Sequence, residues 1–418
     1  MTPFRPLMWA APLAVAVLPL WAAAAEIRSL TLEQTVELAL QRNPTLRAQA
    51  LSITSTKANE VTAGLRPNPV FVSSSQDFTA GVSQLFERGG KRQRRIDSAK
   101  LSTDLTTSDF SDARRTLIFQ VRKTFIEALL AKSTLDLARD NLRNFQEVED
   151  INRVRFEKGD ISGADLLKIE LQKLQFQNDV QEATLALKTA RTTLRTLLAS
   201  PDLAEDFDIE GELKFTEFDV SLSDLKAIAL RERPDLRSAE TLMKKTEADI
   251  RLAVANSHTD FSLAVGYHHT EPGLPNWINP LFPGGSQENS VGFGFNFPLR
   301  IFDRNQGEIA RTKAEAIRAV SLAEAARNQI SNDVEVSYSA LLASRERVRL
   351  YELIYLGRAT ESREIVKFAY KSGATSILDL LEAERTHHAV QLAYRQALAS
   401  YLTNLYQLNA AVGTDVAK

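Results

Sequence analysis

Residues 92–156 run for 65 positions without a proline or a glycine. As one α-helix, rising about 1.5 Å per residue, that stretch makes a rod of roughly 100 Å, longer than any ordinary globular core requires. The whole chain of 418 residues holds only 17 Gly and 14 Pro, so long elements and few turns are expected throughout. Beyond a turn at Gly159, Leu166, Ile169, Phe176, Val180, Ala183, Leu187, Ala190, Leu194 and Leu197 alternate at three and four spacing, interrupted by Lys173. That spacing is the seam of a coiled coil. With 44% hydrophobic and 25% charged residues the chain can bury such a seam and is unlike a disordered one.

The chain aligns with itself. A shift of 190 residues places Leu32, Leu38, Ala39, Leu40, Pro44, Leu46 and Arg47 on Leu222, Ile228, Ala229, Leu230, Pro234, Leu236 and Arg237, and Phe71 on Phe261. A shift of 214 places Asp165-Leu166-Leu167 on Asp379-Leu380-Leu381 and Glu170 on Glu384. Two consistent offsets indicate an internal duplication, with 24 extra residues in the second copy. The Pro/Gly/Asn-rich stretch 269–289 is the natural place for them, as a loop. The coiled-coil positions then recur at Leu380, Ala383, His387, Val390, Tyr394, Ala397, Tyr401, Asn404, Leu408 and Ala411, so the polar break at Lys173 recurs at His387. The expected division is a signal peptide over 1–25, a first repeat over 26–210 and a second over 211–418. Each repeat reads as a helix, two strands, one very long helix, a glycine turn and a second long helix.

Residues 1–25 combine Arg5, an apolar run and four alanines before Glu26, the pattern of a secretory leader. No later segment approaches 18 consecutive apolar residues, so entry into a membrane would have to be as β-strands. Strands are expected over about 69–87 and 260–299. Phe261, Leu263, Val265 and Tyr267 alternate with small or polar residues, as do Val291, Phe293, Phe295 and Phe297. A half-buried soluble sheet shows the same alternation, but beside a leader and a duplication these eight residues read as the lipid-facing side of a membrane barrel. Four strands cannot close a barrel, so the chain must oligomerise to remove its edges. Arg88, Lys91, Arg92, Arg94 and Arg95 cluster where a strand meets a helix; they read as contacts to anionic headgroups or as a solvated charge cluster.

With 51 Lys+Arg against 53 Asp+Glu, no basic field favours nucleic acid. No nucleophile elbow, P-loop, dinucleotide fingerprint or zinc-protease motif occurs, so no enzymatic activity and no cofactor are expected. The absence of Cys removes thiolate sites and N-terminal lipid acylation. The five histidines, His258, His268, His269, His387 and His388, include adjacent pairs that point apart, so no metal site is expected.

The duplicated plan, the Leu-Glu-x-x-x-x-x-Ala-Leu motif at 32–40 and the stretch Arg233-Pro234-Asp235-Leu236 resemble the TolC-type outer-membrane efflux channels, across nearly the whole chain after residue 25. Within that family, Glu87-Arg88-Gly89-Gly90-Lys91-Arg92 and the segment Pro298-Leu299-Arg300-Ile301-Phe302-Asp303-Arg304-Asn305-Gln306-Gly307 are most similar to the CzcC-like branch, which exports heavy-metal cations. Many relatives carry an acylated Cys at the mature N-terminus, where this chain has Glu26. The resemblance implies a mainly α fold with a small β part: a homotrimer with four strands per chain, a 12-stranded outer-membrane barrel and a periplasmic helical tunnel. It implies a passive export duct in a Gram-negative outer membrane, served by a periplasmic adaptor and a proton-driven inner-membrane pump of the RND type. The cargo would be Co, Zn, Cd, Ni, Cu or Ag cations; export of drugs or polypeptides, or a structural periplasmic coiled coil, are the alternatives. Carried onto this sequence, the adaptor-contacting helix tips are Gly159, Asp160, Ser162, Gly373, Ala374, Thr375 and Ser376, and the gate at the tunnel entrance is Asp165, Tyr370, Asp379 and Glu382. Asp379 and Glu382, three residues apart on one helix face, would form stacked carboxylate rings under threefold symmetry.

Overall fold

The computed structural model describes residues 29–74, 78–200, 202–270 and 288–416; the expected leader and most of the expected 269–289 loop lie outside the described residues. In the first half β1 (Ser29–Leu30) leads into α1 (Leu32–Arg42) and α2 (Pro44–Gly64). There follow the strands β2 (Val70–Ser74) and β3 (Phe78–Phe86), the helix α3 (Lys91–Glu157) and the helix α4 (Gly163–Leu198). The second half runs β4 (Asp208–Ile209), α5 (Leu222–Glu232), α6 (Pro234–Asn256), β5 (Phe261–Thr270), β6 (Glu288–Asn296) and α7 (Gln306–Leu350). A π-helical turn (Tyr351–Tyr355), α8 (Leu356–Lys371) and α9 (Ile377–Val412) complete it. Mostly helix with a small β part, this is the expected fold class.

Three details differ from expectation. Each half opens with two helices rather than one, because Pro44 and Pro234 hold the preceding Asn43 and Arg233 in extended conformations that end α1 and α5. Asn43 turns that break into a cap, its Oδ1 accepting from the Leu46 N–H at 3.1 Å. The long helix of the second half is interrupted by the π turn, whereas α3 runs unbroken for 67 residues. Besides the four strands expected, β1 and β4 pair in parallel, joining the N-terminal segment to the start of the second half.

The four-stranded sheet has the order β2-β3-β5-β6 and is antiparallel throughout. Its central pair crosses between halves, with Phe86 opposite Phe261 and Val82 opposite Val265. Because paired residues share a face, Phe71, Val82, Val265 and Phe293 form one apolar row, and Phe86 stacks on Phe261 at 5.3 Å. On the other face Gly81, Gly266 and Gly292 lie side by side. A β-carbon at Gly81 would sit 2.9 Å from the Val265 carbonyl oxygen, so that strand crossing admits only glycine.

Strand meets helix at a compact joint. Gly90 caps α3 with φ +70° and Asn305 caps α7 with φ +62°, both left-handed, a conformation that glycine and asparagine reach at least cost. The connecting segments differ in length, four residues at 87–90 against nine at 297–305, so part of the extra length of the second half lies here and not in the hairpin loop. Of the basic cluster, Lys91 is buried and binds Asp260 at 2.6 Å, while Asp260 also accepts from the Arg88 N–H at 2.9 Å. Arg95 grips Glu87 and, with Arg92, donates to the carbonyls of Ala63, Gly64 and Leu65 that end α2. Lys91, Arg92 and Arg95 are therefore joint fasteners, whereas Arg94, partly exposed, pairs with Asp97 one turn on at 3.8 Å.

Burial follows the three-four spacing. Ile169, Phe176, Ala183, Leu187 and Leu194 of α4 are buried, as are Leu380, Ala397, Tyr401 and Leu408 of α9. One core cluster gathers Phe125, Leu129, Leu194, Leu198, Phe207 and Ile209, and a second gathers Leu225, Ile330, Val334, Leu341, Tyr401 and Leu408. A third sits at the far end, where Phe145, Val148, Ile169, Phe176, Tyr370, Ile377, Leu380 and Leu381 join α3, α4, α8 and α9.

Replacing Lys91 by Met leaves the Asp260 carboxylate without its cation in a mostly buried site. The expected cost is roughly 2–3 kcal/mol, read as a lower midpoint in thermal or denaturant unfolding of the purified protein, with Lys91→Met/Asp260→Asn recovering much of it. Equal stability of the single variant and the parent would show that the joint does not depend on this pair.

Candidate functional site

The third cluster closes the end of the molecule where both long hairpins turn. The two turns are built alike. Gly159 (φ +83°) follows α3, with its N–H on the Phe156 carbonyl at 2.9 Å and that of Asp160 on Arg155 at 2.8 Å. Gly373 (φ +75°) follows α8, with its N–H on Tyr370 at 3.1 Å and that of Ala374 on Ala369 at 2.8 Å. Each pair of bonds is a Schellman closure, which satisfies the last helical carbonyls and needs a left-handed residue at the glycine. Ser162 then caps α4, accepting from the Asp165 N–H at 3.1 Å, and Ser376 caps α9, accepting from the Asp379 N–H at 3.3 Å. Gly159, Asp160, Ser162, Gly373, Ala374 and Ser376 are exposed and Thr375 partly so; a β-carbon at either glycine would meet open space.

The four residues expected at a gate fall into two groups. Tyr370 is buried, and its hydroxyl donates to Asn152 Oδ1 at 2.5 Å. Asn152, itself 1% exposed, donates onward to the Val148 carbonyl at 2.7 Å, and the Arg155 guanidinium lies 5.1 Å from the centre of the Tyr370 ring. A bond from α8 to α3 thus ties the two hairpins together within one chain. Burial raises the Tyr370 pKa, opposed by Arg155 and assisted by the nearby Asp165 carboxylate, so the hydroxyl stays protonated and able to donate. Asp165 itself is held below the usual carboxylate range by hydrogen bonds from Ser162 and Lys168.

Asp379 and Glu382 stand apart from that network, on the first turns of α9. The Asp379 carboxylate accepts from the Thr375 hydroxyl at 2.6 Å and from the Ser376 hydroxyl at 2.7 Å and N–H at 3.0 Å, and these bonds lower its pKa. It completes a capping box, a structural task beside any electrostatic one. Glu382 is exposed, one turn along the same helix.

Asn152 and Arg155 escaped the sequence reading, as did Glu149. Glu149 is 3% exposed and receives Lys173 at 2.6 Å and Arg153 at 2.7 Å. Asn152 carries one usable signal: a polar residue at three-four spacing after Phe145 and Val148, on the face that α3 buries. Among the described residues no group of three or more His, Cys, Asp or Glu is placed to hold a metal ion.

At the opposite end, the eight residues expected on a lipid-facing side occupy the sheet. Leu263, Val265, Tyr267, Val291, Phe293, Phe295 and Phe297 are exposed, Phe293 to 87%, and Phe261 is half-buried under Phe86. Phe297 lies one residue beyond β6, yet its ring stacks on Phe295 at 6.2 Å. Among the described residues no helix is long and apolar enough to cross a membrane.

Comparison with known proteins accounts for this combination of exposed sheet and long paired helices. The cobalt-zinc-cadmium resistance protein CzcC of Cupriavidus metallidurans is 26% identical over 377 residues, spanning 87% of this chain and 85% of that one. The pyoverdine export outer membrane protein OpmQ of Pseudomonas putida is 25% identical, spanning 91% and 85%. A solved structure of CusC, 18% identical and covering 93% of both chains, superposes with a TM-score of 0.75 and shows the same fold. The outer membrane efflux protein family matches residues 35–200 and 226–414, once in each half. Its members are passive channels rather than enzymes, and this chain belongs to it: the protein is an outer membrane efflux protein of TolC type.

Proposed function

We propose that three copies of this chain assemble into an outer-membrane duct that extends into the periplasm and carries heavy-metal cations out of the cell. The observation that carries the reading is the sheet: among the described residues β2 and β6 each leave an outer edge unpaired, beside an exposed apolar face. Unpaired backbone groups are not tolerated in lipid, and three such sheets joined edge to edge give twelve strands, an even-numbered barrel of ordinary size. Phe261, Leu263, Val265, Tyr267, Val291, Phe293, Phe295 and Phe297 then face lipid. With α3 spanning roughly 100 Å from sheet to turn, the helices supply the periplasmic tunnel. Likeness to CzcC over most of both chains supports Co, Zn and Cd as cargo, with Ni, Cu and Ag in the same class. Likeness to OpmQ at a similar identity supports a second reading, in which the same duct exports an organic molecule.

In this reading the duct is one of three components, with a periplasmic adaptor seated on the tips at Gly159, Asp160, Ser162, Gly373, Ala374, Thr375 and Ser376, and a proton-driven inner-membrane pump beneath. Deletion of the gene is expected to lower the tolerated concentration of at least one of Zn, Co, Cd, Ni, Cu and Ag, with restoration by the plasmid-borne gene. Sensitivity confined to antibiotics or other organic compounds would replace the metal cargo by an organic one. Gly373→Leu has room for its side chain but forces a left-handed leucine. It is expected to abolish metal tolerance while trimers still reach the outer membrane, a combination that full tolerance in the variant would rule out.

Tyr370, Asp165, Asp379 and Glu382 form the tunnel entrance. Tyr370→Phe removes the bond to Asn152, a loss of about 1–2 kcal/mol between the hairpins, and is expected to raise the conductance of purified trimers in planar bilayers. Asp379→Asn with Glu382→Gln is expected to weaken cation selectivity. Because Asp379 also caps α9, Glu382→Gln alone separates the electrostatic effect from a frayed helix. Unchanged conductance in the first variant and unchanged selectivity in the second two would place the gate elsewhere.

A further inference from the structure

The two hairpins hold their polar breaks differently. In the first, Lys173 of α4 meets the buried Glu149 of α3 at 2.6 Å, opposite charges on facing helices. Moved by the repeat of 214 residues, those positions become His387 of α9 and Arg363, the latter on α8. The acid is thus replaced by a guanidinium, and the cation by an imidazole that can bear or lose a charge. His387 is 5% exposed. Its Nδ1 lies 3.4 Å from Arg363 Nη1, and its Nε2 lies 3.4 Å from Thr360 Oγ1 and 3.3 Å from the Gln391 amide.

This geometry suits a neutral ring alone. A guanidinium has no acceptor, so Nδ1 presents its lone pair to Arg363 and the protonated Nε2 donates to Thr360 Oγ1, with the Gln391 amide turned so that its otherwise unpartnered oxygen faces the ring; a second proton on the ring would place two donors and two positive charges face to face at Arg363. The other charged groups around the seam are few. From α8 come Glu364, occupied by Arg363 at 2.6 Å, and Lys367; from α9 come His388 and the half-buried Glu384. Glu364, the carboxylate that opposes Arg363 at the ring, is already paired with that arginine.

We propose that His387 is a proton-operated release for the α8–α9 seam: protonation sets it against Arg363 and loosens the lower part of α8, which carries Tyr370. Two features direct the effect to α8. The π turn Tyr351–Tyr355 breaks that helix from α7 above, and Tyr370 lies two helical turns below Arg363. Burial, then Arg363, lowers the His387 pKa, with Glu364 opposing. A histidine with a depressed folded-state pKa contributes packing stability above its ordinary value near 6.5 and loses it as pH falls through the depressed value. Acid therefore loosens the seam.

Hydrogen exchange of purified trimers at pH 7.5 and 5.5, corrected for intrinsic rates, tests this. Peptides within residues 360–371 should exchange roughly fivefold or more faster at pH 5.5, while those within residues 145–157 of α3 stay unchanged. His387→Gln, which keeps a neutral hydrogen-bonding side chain, should abolish the pH effect, and His387→Lys should exchange fast at both pH values. His388→Gln and Glu384→Gln should retain it. The proposal is overturned if parent exchange is the same at both pH values, if His387→Gln keeps the effect, or if the effect disappears with His388 or Glu384 instead. Exchange reads the seam directly, so its outcome stands apart from the conductance of Tyr370→Phe, which reads the gate.

Discussion

The long helix α3 is the element that both halves of this molecule share. That helix packs on α1, α2 and α4 of its own half and on α6 and α9 of the other, so one 67-residue element takes part in both halves. Such reach is possible because the contacts at the crossings are small. Ala128 and Ala138 of α3, Ala248 and Ala253 of α6, and Ala319 and Ala323 of α7 are all buried, and alanine lets helix axes approach while costing little conformational entropy. A helix this long gains little from its own propensity at any one place; it is held by neighbours along its length, and the first and third core clusters mark two of those levels.

What the sequence made legible was whatever depends on local spacing. The three-four rows predict the buried faces of α4 and α9, and the repeat of 214 residues carries Gly163–Leu198 onto Ile377–Val412 residue for residue. Gly159 and Gly373 mark the turns because only a left-handed residue completes the closure there. The breaks at Pro44 and Pro234 were equally local, but an apolar pattern continuing past them masked the signal. By contrast, the Tyr370–Asn152 bond joins residues 218 positions apart, and nothing near either names the other. Part of the basic cluster at 88–95 was hidden for the same reason: Lys91 and Arg95 look like a surface patch in sequence, and their partners Asp260 and the carbonyls of Ala63 and Leu65 arrive through the fold.

A passive channel asks little chemistry of its walls, and the polar groups of this chain are correspondingly structural. Asp379 and Asp165 cap helices, Arg233 binds Asp235 at 2.5 Å and Asp333 at 3.2 Å while donating to the Ala411 carbonyl, and Arg122 pairs with Asp415 at 2.9 Å over the Tyr406 ring. Each satisfies a buried or terminal group that would otherwise cost stability. Such groups are weak indicators of cargo, since capping and pairing already account for them.

The tips show which parts of the duplicated plan are constrained and which are free. Both turns use the same glycine closure and the same serine cap, because five residues must reverse a helix in either half and few backbone paths do so. Some fourteen residues above Gly373, by contrast, one seam carries an acid and a lysine and the other an arginine and a histidine on equivalent positions. Electrostatics distinguishes them: an acid and a lysine attract each other, whereas a histidine facing an arginine is held only while neutral. Equivalent positions with unequal electrostatics let one hairpin stay fixed while the other responds, although the same fold and the same turns build both.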